Sequence, residues 1–189
     1  GYVVRWYSQA DGEPDLVQPT TDRQPLIAQD GSVYLDGDGR VAIKFDGSRN
    51  TYLTTDGGLS EWRPITETMI MVIGEVVGRS DGGQQGILAL QQPGQWGQNK
   101  LTMRKEDGIT IRSNVASQVW PGFDYGPVAW ILNLNGTTFE TFENYEQTNS
   151  STIQGSTTYN FITLGIGTKN KDRGFNGSLS EVVLFAGQT

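Results

Sequence analysis

The chain has 189 residues, with 14 Lys and Arg against 21 Asp and Glu and a formal charge of −7. That balance argues against non-specific binding to nucleic acid, which rests on cations neutralising phosphates. His and Cys are both absent, which removes histidine triads, cysteine nucleophiles, disulfides and His/Cys zinc sites, and leaves carboxylates as the available acids and bases.

Gly, Asn, Thr, Ser, Gln and Asp are abundant, a mixture that suits short strands joined by tight turns rather than helices. No run of about 18 apolar residues occurs, so no membrane insertion is expected. No secretory leader is visible, and the chain opens on Gly1 rather than Met, so residues preceding it are expected. At this length the expectation is a single domain over 1–189.

In chain order, residues 2–7 (YVVRWY) read as a short strand. Pro19, Pro25, Gly31, Gly37 and Gly39 then allow only very short strands, so 1–40 is a loop-rich arm laid on the sheet edge. Val41, Ile43 and Phe45 alternate with Ala42 and Lys44 up to the Asp46-Gly47 turn, and Tyr52 and Leu53 resume that strand. A helical turn is expected at 59–63. Residues 69–78 form the most apolar run and should be central. A turn follows from Ser80 to Gln85. Residues 87–90 make the next strand, interrupted by QQPGQWGQN. Leu101, Met103 and Lys105 lead to a hairpin at Asp107-Gly108, with Ile109 and Ile111 on the return. In 128–134 the even positions are Val128, Trp130, Leu132 and Leu134. Asn135-Gly136 is the strongest hairpin signal, with 137–142 returning, and 159–166 precede the last strand.

That last strand lies within GFNGSLSEVVLFAG, 174–187. Phe175, Leu179, Val183 and Phe185 share one parity, and so does Glu181, which must be re-aimed by a bulge or satisfied from inside. Val182 and Leu184 make the other parity apolar too, as in a central, covered strand. Its natural partner is 41–53, with 41–45 pairing with 179–185. About a dozen strands at roughly 8- to 15-residue spacing give an all-β sandwich or jelly roll.

The element order resembles the concanavalin A-like, laminin G-like jelly-roll family. The residues that carry it are Phe45-Asp46-Gly47-Ser48 with Tyr52-Leu53, the apolar strand from Met69, Trp130…Asn135-Gly136, and above all GFNGSLSEVVLF. The piece VRWYSQADGEPDLVQPTTDRQPLI looks like the WYDQSG…QP lead-in of versions on bacteriophage virion and tail proteins. It departs from that pattern at Ser8, where the acidic residue is replaced, and at Ala10-Asp11-Gly12. The resemblance implies a sandwich of two antiparallel sheets and a non-enzymatic, lectin-like module on a virion or extracellular surface. Its partners would be a surface glycan or a neighbouring capsid or tail protein, with homo-oligomers open and calcium used by some members. The alternative is a glycoside hydrolase, or a carbohydrate-binding module of a secreted bacterial enzyme.

Catalytic members of this fold carry an acidic strand of the type Glu-x-Asp-x-x-Glu, and a glycosidase needs two carboxylates about 5–10 Å apart. Glu140, Glu143 and Glu146 lie on a hairpin arm and read as a solvated face, and Glu181 reads as structural, so no catalytic residue is assigned. Asp36 and Asp38 in LDGDGR fail the EF-hand pattern because Gly47 stands where the bidentate Glu belongs; a looser calcium loop stays open there. The sequons at Asn135, Asn149 and Asn176 read as accidental. Sugars stack on aromatic rings and exchange hydrogen bonds with amides and carboxylates. Two stretches, read as loops, combine these: Trp96, Gln98 and Asn99 in one, Trp120, Phe123, Asp124 and Tyr125 in the other. Trp6, Trp62 and Trp130 are assigned to the core or its margin.

Overall fold

The computed structural model describes residues 1–9, 13–55, 67–77, 85–91, 101–105, 108–112, 117–121, 127–135, 138–152, 161–166 and 174–186. Among them are one 3-10 turn (Thr21–Arg23) and sixteen strands: β1 (Arg5–Trp6), β2 (Leu16–Val17), β3 (Ala28–Gln29), β4 (Ser32–Val33), β5 (Ile43–Phe45), β6 (Leu53–Thr55), β7 (Glu67–Val76), β8 (Gln85–Gln91), β9 (Leu101–Lys105), β10 (Gly108–Arg112), β11 (Ser117–Pro121), β12 (Pro127–Asn135), β13 (Thr138–Glu143), β14 (Glu146–Thr152), β15 (Phe161–Leu164) and β16 (Gly177–Ala186). An eight-stranded sheet has the order β1-β2-β6-β15-β8-β9-β10-β11, a six-stranded sheet β14-β13-β12-β7-β16-β5, and β3-β4 form a small ribbon. The pairings among the described strands are antiparallel, so each strand can bury one face and wet the other.

The core forms where the two large sheets face each other. From the six-stranded sheet come Ile70, Val72 and Val76 on β7, Val128, Trp130 and Leu132 on β12, and Leu179 on β16. The eight-stranded sheet answers with Leu53, Leu88, Leu90, Ile162 and Leu164. On β7 the intervening Met69, Met71 and Ile73 are only half-buried, so the run expected to be central on its apolarity alternates between a core face and a wetter one. Fully burying one such aliphatic chain contributes about 1.5–3 kcal/mol. β7 is central, and β12 and β13 form the expected hairpin, with Asn135 opposite Thr138. Strand β14 continues that meander although its sequence, EQTNSST, carries no apolar alternation.

Two expectations need correction. Tyr52-Leu53 do not resume the strand that ends at Phe45: β5 lies in the six-stranded sheet and β6 in the eight-stranded one. Between them Asp46 organises a crossing turn. Its Oδ1 accepts from the Ser48 hydroxyl at 2.6 Å and the Ser48 amide at 2.9 Å, while its own amide donates to Thr51 Oγ1 at 2.7 Å. Asn50 supplies the left-handed residue the reversal needs, at φ 52°.

The second correction concerns β16. It pairs with β5 as expected, but only through Gly177–Phe45, Ser178–Lys44 and Leu179–Ile43; its long partner is β7. The register against β7 shifts between Leu179 and Glu181. An extra residue at that point flips the side chains that follow. Val182 and Leu184 therefore pack on the core, Glu181 is exposed, and Phe185 is 56% exposed. The bulge, not an internal partner, resolves Glu181, and the strand is not covered on both sides near its end.

The N-terminal arm makes the short strands its prolines allow and touches both sheets. β1 and β2 extend the eight-stranded sheet beyond β6, while Leu26 bridges Tyr2 to Lys44 at the edge of the six-stranded one. The Gly1 ammonium donates to the Ala28 carbonyl. Trp6 packs against the core and Trp130 lies within it. Trp62, the helical turn expected at 59–63 and the turn from Ser80 fall outside the described residues, apart from Gln85 in β8.

The return crossing from β15 to β16 runs through Gly165, at φ +85°, where an added Cβ would lie 2.2 Å from Phe45 Cδ1 and 2.8 Å from the Thr51 carbonyl. Gly165→Ala should therefore destabilise the protein by about 2–4 kcal/mol, combining left-handed strain with overpacking; an unchanged denaturation midpoint would contradict this packing.

Burial opposes ionisation of Asp46, but the Ser48 hydroxyl and the Ser48 and Arg49 amides outweigh it, so its carboxyl lies below its ordinary range. A depressed carboxylate stabilises the fold above its unfolded pKa, and that contribution is lost as pH falls through the folded value. Asp46→Asn should thus be less stable than the natural chain at neutral pH and match it in acid below the ordinary carboxylate range. Urea melts at the two pH values check this, and a gap that persists in acid would contradict it.

Candidate functional site

The ladder registers place the strand ends that flank the two aromatic stretches at opposite ends of the sandwich. In β8–β9, Leu90 faces Leu101 at one end and Gln85 faces Lys105 at the other. The Trp96 stretch connects Gln91 to Leu101 and so leaves from the first end. β10 pairs Ile109 with Lys105 and Gly108 with Pro121, so β11 finishes at the Gln85 end. Trp96, Gln98, Asn99, Phe123, Asp124 and Tyr125 themselves lie outside the described residues.

Trp120 is described in its backbone, which corrects its reading as a loop residue. It stands in β11 opposite Ile109, one position before Pro121 closes the strand against Gly108. Pro121 is tolerated there because β11 is the outermost strand, where a missing N–H breaks no ladder.

The six-stranded sheet brings further groups to this same end. The Asn176 amide donates to Gln85 Oε1 at 2.8 Å, Gly177 pairs with Val76, and Pro127 pairs with Glu75. β12 therefore starts at the Gln85 end, and with it lies the β13–β14 turn, since Trp130 faces Glu143. β11 and β14, the outermost strands of the two sheets, approach one another. The result is a corner where β11 ends, β12 begins and β14 begins.

The turn at that corner is Asn144-Tyr145, closed by the Glu143–Glu146 pair. Both residues are left-handed, at φ 49° and 70°, as a two-residue hairpin with the sheet's natural twist requires. Asn144 is suited to this and also anchors it: its amide donates to the Ala129 carbonyl at 2.9 Å, and its Oδ1 accepts from the Ala129 amide at 3.1 Å. Tyr145 is 73% exposed, and Asn144, Glu146 and Gln147 are exposed beside it. The sequence reading did not single out this turn. Its signal was Asn144 between two polar strands, weak because Tyr145 occupies a position where Gly is usual.

The acidic groups are dispersed or engaged. Glu140 Oε2 accepts from Asn133 Nδ2 at 3.5 Å, and Glu146 is exposed, in keeping with a solvated face. Asp36 is buried and caps its own loop, Oδ1 accepting from the Asp38 amide at 3.0 Å and the Arg40 amide at 2.9 Å. Asp38 pairs with Arg40 at 2.9 Å, and Glu75 Oε2 accepts from the Gly37 amide at 3.1 Å. Among the described residues Asp36 Oδ2 is left without a hydrogen-bond partner, and no group of three or more His, Cys, Asp or Glu is placed to hold a metal. Calcium takes roughly six to eight oxygens, whereas here the Asp36 and Asp38 carboxylates are engaged by the loop's own amides and by Arg40. Nearby, burial and then the Glu75 carboxylate push the Tyr34 phenol above its ordinary range.

No protein-family model and no curated protein matches the sequence. Solved structures do match the fold. Domain 4 of AbnA, a GH43 extracellular arabinanase from Geobacillus stearothermophilus in complex with arabinotriose, aligns at TM-score 0.58 and 10% identity over 87% of this chain and 75% of that one. The mouse laminin alpha1 chain, domains LG4-5, aligns at 0.56 and 14% identity over 84% and 44%. The enzymatically active domain of the bacteriophage CBA120 tailspike protein 2 aligns at 0.59 and 11% over 87% and 28%. At these identities the likeness is one of architecture: the chain has the concanavalin A-like, laminin G-like jelly-roll fold.

Proposed function

We propose that the protein is a non-catalytic module that binds glycans on a virion or extracellular surface. The observation that carries this reading is the shared architecture with an arabinanase domain solved with arabinotriose, which spans 87% of this chain. Two features agree with it. The sequence lacks His and Cys, and of the described carboxylates on strands Glu146 and Glu181 are exposed while Glu75 and Glu140 accept hydrogen bonds from neighbours. The corner where β11 ends also gathers polar groups beside an exposed aromatic, the combination that sugars use.

A placement on phage particles is favoured by the tailspike likeness together with the N-terminal WY…QP lead-in. A carbohydrate-binding module of a secreted enzyme would use the same chemistry at this domain. Of the two aromatic stretches, we assign Trp120, with Phe123, Asp124 and Tyr125, to the ligand; Trp96, Gln98 and Asn99 would form a separate site at the far end.

A glycan array probed with the whole chain, followed by titration of the hits, tests the reading. Trp120→Ala should weaken binding by about 1–3 kcal/mol, the scale of one ring stacked on an aromatic, with little change in melting temperature. A folded chain that binds no glycan, with Trp120→Ala strongly destabilised, would overturn it in favour of a structural role in particle assembly.

A further inference from the structure

We propose that the Asn144-Tyr145 turn is itself a sugar-binding site, with Tyr145 as the stacking platform for a neutral glycan; this rests on the glycan-binding reading above. The argument begins with backbone conformation. A tyrosine at φ 70° carries a left-handed penalty that Gly or Asn would avoid. Such residues persist where the surroundings over-determine them, and they cluster at ligand-binding sites. Asn144 repays its own left-handed conformation through two hydrogen bonds to Ala129. Tyr145 repays nothing to the fold: it is 73% exposed and makes no hydrogen bond or ring contact among the described residues. A chain that needed only a turn here would do better with glycine.

The Ala129 clamp also makes the ring's base rigid. The turn is tied to the first residues of β12, so the aromatic is held out on a fixed support, and little freedom is lost when a ligand arrives. Glu146 and Gln147, both exposed, follow at once on β14 and can accept from and donate to ring hydroxyls. Charge selects the ligand class. An exposed carboxylate follows the turn at Glu146, on a chain of net charge −7. A sugar acid or sulfated sugar would meet like charge, whereas a neutral saccharide would find hydroxyl partners.

The test compares the natural chain with Tyr145→Gly and Tyr145→Phe, titrated with neutral oligosaccharide hits from the array and with sialyllactose as the acidic probe. Tyr145→Gly should lower affinity for the neutral glycan about tenfold or more while the melting temperature holds or rises, because the left-handed strain is relieved. Tyr145→Phe should keep most of the affinity, since the ring face is retained. Unchanged affinity in Tyr145→Gly, with Trp120→Ala abolishing binding, would overturn this site and leave the general reading standing. Preference of the natural chain for sialyllactose would overturn the neutral assignment. A folded natural chain that binds neither probe nor array would sink both.

Discussion

The architecture depends on two chain crossings that interlock at one end of the sandwich. Going out, Phe45 ends β5 in one sheet and the Asp46 turn delivers Leu53 to the other. Coming back, Leu164, Gly165 and Ile166 leave β15, and Gly174 and Phe175 deliver β16 to the first sheet. The two phenylalanines meet between the sheets, fully buried, with ring centroids 5.9 Å apart and planes tilted by 49°. Such a tilted pair contributes about 0.5–1.5 kcal/mol beyond its burial. Backbone meets backbone beside them: a Cβ on Gly174 would lie 2.5 Å from the Gly47 carbonyl. The crossings therefore fix one another in the folded state, since neither leaves room for the other to move.

That seam sits at the same end of the sandwich as the close of β11 and the Asn144-Tyr145 turn, but across the sheets from them, since β5 and β14 are the opposite edges of the six-stranded sheet. Gln85 links the two halves directly, its buried side chain accepting the Asn176 amide across from β8 to the start of β16. The fold alone assigns no chemistry to this corner, because one scaffold carries many functions and only the groups at a site decide between them. Here those groups are an aromatic face, amides and carboxylates, without a histidine or cysteine anywhere in the chain. They are the groups that the proposed glycan recognition would use.

The edges of the sheets show how local irregularities set which surface is presented. The bulge after Leu179 turns Glu181 outward and brings Val182 and Leu184 onto the core. A second register shift, between Thr141 and Phe142 on β13, comes just before the exposed turn. Bulges concentrate at such places because one extra residue re-aims every side chain after it. On the opposite margin the N-terminal arm spans the gap, pairing with β6 through β2 and with Lys44 through Leu26.

By itself the sequence determined the all-β class, the central place of β7, the β12–β13 hairpin and, of the expected pairing between 41–45 and 179–185, that the chain's last strand meets β5 at all. Each of these rests on alternation, on a continuous apolar run or on turn residues whose conformational preference is local. The same local signals left Trp120 misplaced in a loop, since Pro121 breaks an inner ladder but not an outer one, and whether a strand is outermost is settled by its neighbours. They also passed over Tyr145, where no residue preference announces a left-handed aromatic. Tertiary structure alone decided that β5 and β6 belong to different sheets, that Glu181 faces water, and that β8 finishes at one end of the sandwich and β11 at the other. Sheet membership and bulges depend on partners distant in sequence, and a single shifted residue inverts the two faces of a strand.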